Sequence, residues 1–216
     1  MNSIKQAWSG LSTSNISDAL DRYGISGQCL GIKPLSNSFK LFGPAFTIRM
    51  IPITEQKGTV GDYIDDVPPD SVVVIDSDGT LDATVWGDLL TTVAKRRKIG
   101  GTVINGVCRD SSKSLELDYP IFSLGNIMRT GKGRLQVDKY NVPVLVEKTL
   151  VVPGDLVIGD ADGIVIVPKE RTEEILQSAR EIKKKEDLIE KAVMEGIRLD
   201  KAREKYGYFK LQSSEK

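Results

Sequence analysis

Apolar residues first recur at helical spacing in SNISDALDRYG (14–24), where Ile16, Ala19 and Leu20 share a face, Ser14 is placed to cap the start and Gly24 to end the run. FGPAFTIRMI (42–51) predicts a strand after a Gly-Pro break. Residues 54–70 are polar and acidic, and Asp62, Asp65 and Asp66 read there as a solvated face rather than a metal site. SVVVID (71–76) is a continuous apolar run of strand length, the pattern of a strand buried on both faces, and Asp78-Gly79 turns the chain after it.

The next stretch returns to helical spacing, with Val85, Leu89, Leu90, Val93 and Ala94 as its stripe. Lys95 to Lys98 gather at its C-terminal end, where cations suit the helix dipole, and Gly100-Gly101 is placed to stop it. TVING (102–106) predicts a second buried strand, a short helix starts near Asp110, and YPIFSL (119–124) predicts a third strand. This alternation points to a largely parallel βαβ portion. From 142 to 168 the runs VPVLVE, TLVVPGDLVIGD and GIVIVP leave no room for helices, so antiparallel hairpins are expected. From Glu170 to about Tyr206 the pattern is helical and charged, with Ile175, Ile182, Leu188, Ile189 and Val193 as a thin apolar stripe. A stripe so sparse predicts a surface helix, or one lying across a neighbouring subunit. The pattern as a whole predicts one α/β domain over 1–216: a parallel βαβ portion, a β-rich C-terminal portion and a C-terminal helical extension over about 170–206.

Composition narrows the chemistry more than the fold. The chain has 216 residues, 40% hydrophobic and 28% charged, the balance of an ordinary globular protein. Lys+Arg and Asp+Glu are 30 each, so no global field draws nucleic acid or anionic lipid. No apolar run approaches the roughly 18 residues of a membrane span, and the N-terminal stretch lacks a signal-peptide core, so a cytoplasmic location is expected. For the same reason the Asn15-Ile16-Ser17 sequon carries no expectation of glycosylation. Histidine is absent, which excludes Ser–His and Cys–His nucleophile pairs and an imidazole base. Acid–base chemistry must then use carboxylates, lysine, tyrosine or water on a metal. Cys29 and Cys108 cannot build a zinc site without histidine and read as buried small side chains; Trp8 and Trp86 read as packing anchors.

Candidate chemistry sits at the two ends of the 87–110 unit. If Gly87 to Leu90 form a first helical turn, the N–H groups there lack internal partners and offer a seat for a carboxylate or phosphate, with Gly87 allowing close approach. Arg109 and Asp110 follow TVING at the carboxyl end of a strand, where open α/β sheets place their ligand crevice. Helix starts and strand ends share one edge of a parallel unit, so Asp88, the Leu89 and Leu90 amides, Arg109 and Asp110 are expected to converge. Taken singly, Asp88 also reads as a dipole-stabilising acid and Asp110 as a helix N-cap. GDADG (159–163) reads as a hairpin turn rather than a calcium loop, and TGKGR (130–134) as a basic loop rather than a phosphate loop, with Arg129, Lys132 and Arg134 as candidates to touch an anionic substrate.

Asp88-x20-Arg109-Asp110, with GDLL before it and VINGVCRD around it, resembles the 4-hydroxy-4-methyl-2-oxoglutarate aldolase family, which shares its fold with the regulator of ribonuclease activity A (RraA). The likeness continues through SNISDALDRYG, FGPAFTIR, YPIF, NVPV and VVPGDLVIGDADGIVIVP, most of residues 10–170. It implies a swivelling β/β/α fold, a homotrimeric or homohexameric ring with sites between subunits, and a divalent metal, Mg2+ or Mn2+. It further implies that Asp110 ligates the metal, that Asp88 holds water on it, that Gly87 and the Leu89 and Leu90 amides seat the carboxylate of a 2-oxo acid, and that Arg109 hydrogen-bonds the keto oxygen. The implied activity is metal-dependent lyase chemistry, cleaving a 4-hydroxy-2-oxo acid to pyruvate or decarboxylating oxaloacetate. Members often carry an acid three residues beyond the aspartate, where this chain has Lys113, and the aldolases borrow an acid from a neighbour's C-terminal region, for which glutamates between 170 and 204 are candidates. The alternative on the same fold is a non-catalytic binding protein resembling the ribonuclease E activity regulator. A methyltransferase reading lacks a glycine-rich nucleotide-binding turn.

Overall fold

The structure, a computed structural model, describes residues 2–55 and 58–208. Two helices, α1 (Asn2–Ala7) and α2 (Thr13–Arg22), come first, followed by two short strands, β1 (Gln28–Cys29) and β2 (Lys33–Pro34), and the long β3 (Leu41–Pro52). A 3-10 turn at Asp62–Asp66 leads to β4 (Val72–Thr84), α3 (Asp88–Arg96), β5 (Gly101–Cys108), α4 (Ser111–Glu116) and β6 (Ile121–Asn126). Then come β7 (Leu135–Tyr140), β8 (Val144–Val146), β9 (Thr149–Val151), β10 (Leu156–Asp160), β11 (Gly163–Val167), α5 (Thr172–Met194) and α6 (Leu199–Tyr206). The chain forms two compact units, Gln28–Lys169 and the two ends outside it. No described helix is long and apolar enough to cross a membrane.

In the central unit β3, β4, β5 and β6 pair in parallel, while β10, β7 and β2 join antiparallel and β11 and β1 extend the β10 side. β8 and β9 form a separate hairpin. This is the swivelling β/β/α architecture, an α/β fold with a mixed sheet and a long C-terminal helix. Side chains alternate across a strand: Val73 and Ile75 of β4 join a core with Trp86, Ala94 and Tyr119, whereas Val72 and Val74 join a second core with Val144, Val146 and Val151. Apolar cover on both faces is why β4 opens as an unbroken hydrophobic run.

Five local readings are corrected. Ser12, not Ser14, caps α2: its Oγ accepts the Asn15 N–H at 3.1 Å and Asn15 Oδ1 accepts the Ser12 N–H at 3.2 Å, a reciprocal box that a single cap at Ser14 cannot make. The Gly-Pro pair lies inside β3 rather than before it; Pro44 needs no N–H there because the parallel pairing with β4 begins at Ala45. Gly43 is required by crowding, since a Cβ would sit 2.2 Å from the Asp70 carbonyl oxygen. Asp78 and Gly79 do turn the chain, with φ of 54° and 66°, but β4 then resumes against β5 through two register shifts instead of ending. α3 is stopped by Lys98 in the left-handed region (φ 60°), and Gly101 opens β5. Leu89, placed on the buried stripe by spacing, is 77% exposed, and Thr91 is buried instead.

In the other unit the helical stretch breaks at Gly196 (φ 90°) into α5 and α6. α5 buries Ile175, Leu176, Ser178, Ala179, Ile182, Ile189 and Ala192, while Leu188 and Val193 stay partly exposed. Asn15 Nδ2 donates to Glu186 Oε2 at 2.7 Å, and Arg22 Nη1 donates to Ser178 Oγ at 3.1 Å, so α2 supplies part of the cover that the stripe needed.

Candidate functional site

The two ends of the 87–110 unit meet. The Arg109 N–H donates to the Trp86 carbonyl at 2.9 Å and the Val85 N–H to the Val107 carbonyl at 3.3 Å, which ties the chain entering α3 to the chain leaving β5. Gly87 is the N-cap residue of α3 and has no side chain to cap with. An added Cβ at Gly87 would meet Asp110 Oδ2 at 2.8 Å and Arg109 Nε at 3.3 Å, so those two side chains lie directly over the helix start.

Asp110 precedes α4 in the N-cap position, yet its carboxylate does not cap that helix, and its backbone is left-handed (φ 54°). The carboxylate turns to α3: Oδ2 accepts the Asp88 N–H at 3.3 Å and lies 3.3 Å from Arg109 Nε. The N-cap explanation of Asp110 therefore fails, and a non-glycine residue in that region marks a constrained position. Asp88 Oδ1 accepts the Leu89 N–H at 2.8 Å, so of the expected pair of amides that of Leu89 is already taken. The Leu90 N–H has no hydrogen-bond partner among the described residues. The Arg109 and Asp110 side chains are 38% and 39% exposed, accessible without being free on the surface.

Gly87, Asp88, Leu89, Leu90 and Arg109 line one cavity of about 600 Å³, whose walls include Val60, Ile64, Trp86, Val93 and Leu135. Asp62, Asp65 and Lys132 also line it, so part of what read as a solvated face, and one of three candidate cations, borders the same space. Arg129 is instead paired with Asp82 at 3.1 Å, and Arg134 Nη1 donates to the Thr130 carbonyl at 3.0 Å. Sequence spacing missed the 58–62 wall because long-range pairing brings it in: Gln136 Oε1 accepts the Gly58 N–H at 2.9 Å and the Val137 N–H donates to Thr59 at 2.9 Å. No local pattern encodes that contact.

Lys113 pairs with Glu116 at 2.8 Å, one helical turn on. The glutamates of 170–204 belong to the other compact unit. No group of three His, Cys, Asp or Glu side chains suited to a metal occurs among the described residues. Magnesium is commonly held by one or two carboxylates and keeps several waters; the carboxylate at this corner is that of Asp110, 39% exposed. Cys108 is fully buried just before Arg109, and burial raises its pKa; burial pushes the Cys29 thiol up to about 12. Neither thiol is poised as a nucleophile.

Residues 13–166 match the family model "RraA-like: Aldolase/RraA". The chain is 40% identical over 212 residues to protein DlpA of Legionella pneumophila, covering 96% of this chain and 34% of that protein, and so spans about a third of that relative's length. It is 32% identical over 185 residues to a putative 4-hydroxy-4-methyl-2-oxoglutarate aldolase of Halalkalibacterium halodurans, covering 86% of each chain. Among solved structures it is similar to Streptomyces coelicolor RraAS2, an unusual member of the RNase ES inhibitor RraA protein family, with a TM-score of 0.79, 30% identity and coverage of 87% of this chain and 95% of that one.

Proposed function

The chain belongs to the RraA-like family, and from that premise we propose that the corner formed by Gly87, Asp88, Arg109 and Asp110 binds a small 2-oxo acid and breaks a carbon–carbon bond in it. The reaction is cleavage of a 4-hydroxy-2-oxo acid to pyruvate, decarboxylation of oxaloacetate, or both. The observation that carries this reading is the turning of the Asp110 carboxylate from its own helix onto the Gly87–Asp88 turn beside Arg109.

In this reading the Leu90 N–H, at the positive end of α3, takes the substrate carboxylate. Arg109 donates to the keto oxygen, where bond cleavage leaves enolate charge, and a donor already aimed at that oxygen lowers the barrier more than it tightens ground-state binding. Asp88, exposed at the mouth, orients the water that takes the C4 hydroxyl proton when a 4-hydroxy-2-oxo acid is cleaved, and relays a proton to the enolate carbon in either reaction. Asp110 is the residue that would hold Mg2+ or Mn2+, which when bound supplies Lewis-acid stabilisation of the same enolate. The oligomeric state belongs to this reading too, as a homotrimer or homohexamer, and light scattering on the purified protein measures it.

The test is pyruvate release from oxaloacetate and from a panel of 4-hydroxy-2-oxo acids, with magnesium or manganese and after chelation. Turnover that disappears with EDTA and returns with metal supports the reading. A folded, assembled protein with no metal-dependent turnover of any panel member overturns it.

The comparisons favour a second reading more directly, a non-catalytic regulator of an RNase E-type endonuclease: RraAS2, a member of the RNase ES inhibitor RraA protein family, shares the fold at 30% identity. That reading expects inhibition of such a nuclease that survives Arg109→Ala and needs no metal.

A further inference from the structure

Beneath the Gly87–Leu90 turn lies a buried polar chain, of which Trp86 borders the cavity and Thr91 does not. Trp86 Nε1 donates to Thr91 Oγ1 at 2.9 Å, and Thr91 Oγ1 donates its one proton to the Gly87 carbonyl at 3.0 Å. Trp86 and Thr91 are 2% and 1% exposed, so water cannot substitute for the bond between them. The indole stacks on Tyr119, centroids 6.0 Å apart and planes within 2°, and the Tyr119 hydroxyl hydrogen-bonds Thr102 Oγ1 at 2.8 Å. The backbone carbonyl of Trp86 meanwhile holds the Arg109 N–H. One residue thus grips both halves of the site, the helix start through its side chain and the arginine through its backbone.

We infer that Trp86 and Thr91 are positioning residues: the indole–hydroxyl–carbonyl relay fixes the Gly87 peptide so that the Leu90 N–H and the Arg109 guanidinium face one anion together. This rests on the anion-site reading above. α3 contains an internal comparison. Thr92 makes the same back-bond one residue later, to the Asp88 carbonyl at 2.9 Å, but is exposed and has no indole behind it. The relay therefore assigns different effects to the same Thr→Val exchange at adjacent positions.

The experiment uses oxalate, a planar mimic of the pyruvate enolate, titrated with and without magnesium into the full chain and followed by 15N–1H NMR. The chain has two tryptophans, and Trp8 lies in the other compact unit, so its indole signal is the reference. Oxalate is expected to move the Trp86 indole signal together with the Leu90 amide and leave Trp8 still. Thr91→Val is expected to weaken oxalate about tenfold, the equivalent of roughly one hydrogen bond of positioning, with Thr91→Ser restoring it and Thr92→Val leaving it within about twofold. The wild-type titration needs no variant, which keeps the inference testable should Thr91→Val misfold. A Leu90 shift with an unmoved Trp86 indole, or equal oxalate affinity in folded Thr91→Val, overturns the relay alone. No oxalate response under either condition overturns the anion site, and the relay with it.

Discussion

Gly87→Ala separates the site from the fold. The new Cβ would lie 2.8 Å from Asp110 Oδ2 and 3.3 Å from Arg109 Nε, both closer than ordinary contact, and the three nearest atoms all belong to these two side chains. Gly87 has φ −149° and ψ −165°, extended values that alanine adopts without strain. Relief comes from the tip of the Asp110 side chain, which must retreat by about half an ångström; its contacts to the Asp88 N–H and to Arg109 Nε are already long at 3.3 Å and are the ones lost. Both groups are partly exposed, so the stability cost should stay within about 1 kcal/mol, or about 2–4 °C in Tm for a chain of this size. A catalytic arrangement tolerates less: a displacement approaching 1 Å costs up to about 100-fold. We expect kcat/KM for oxaloacetate, read by coupling pyruvate to NADH oxidation, to fall by about 10- to 100-fold, which is about 1.4–2.7 kcal/mol. Wild-type kcat/KM in folded Gly87→Ala would refute the reasoning, because the Asp110 carboxylate could then leave Gly87 without consequence. Gly79→Ala is the control: nothing lies within 4 Å of its Cβ and φ is +66°, so it costs stability and leaves activity intact.

Arg109→Ala and Asp110→Asn should each lower kcat by about 100- to 1,000-fold, the scale of losing one group aimed at developing charge, while circular dichroism and Tm stay near wild type because both side chains are more than a third exposed; unchanged rates would move the chemistry elsewhere. Burial holds the Cys29 thiol near 12, whereas an unfolded thiol ionises near about 8.5, so the unfolded chain gives up its proton first and stability falls as pH rises past that value. Between about pH 7.5 and about pH 9.5 the loss from this thiol approaches about 1.4 kcal/mol, and urea midpoints of Cys29→Ala should show a correspondingly flatter pH dependence; an identical slope in wild type and variant contradicts the assignment. Burial raises the Glu186 pKa, outweighing the Asn15 hydrogen bond, so its favourable contribution holds below the unfolded pKa and is lost as pH rises through the higher folded value. Glu186→Gln should therefore raise Tm at neutral pH and leave it unchanged near pH 4, and a lower Tm at neutral pH would show that the carboxylate is favoured there.

What the sequence made legible follows the range of the interactions involved. Periodicity exposed β4, β5 and α3 because each is set by burial of its own residues, and the Asp88-x20-Arg109-Asp110 spacing exposed the corner because helix starts and strand ends of a parallel unit share an edge. The failures have two physical sources. At Ser14, Lys98 and Leu89 the local pattern admits more than one solution, and the observed one is set by the Ser12–Asn15 reciprocal hydrogen bond, the left-handed Lys98 and the burial of Thr91 in place of Leu89. At Asp62, Asp65 and Lys132 the choice is made by long-range contacts: β7 pairs with β3 across about ninety residues and holds Gly58 and Thr59 through Gln136 and Val137, while Thr84 bridges to Thr130, and together these border the cavity with the 58–62 and 130–133 segments. Asp110 joins both lessons. In sequence it is indistinguishable from an N-cap, and only the absence of a side chain at Gly87, 23 positions earlier, opens the space into which its carboxylate turns. The motif therefore has its physical content in an empty volume as much as in its charged residues, and a chain keeping Asp88, Arg109 and Asp110 but carrying any side chain at position 87 should lose the arrangement while retaining the pattern.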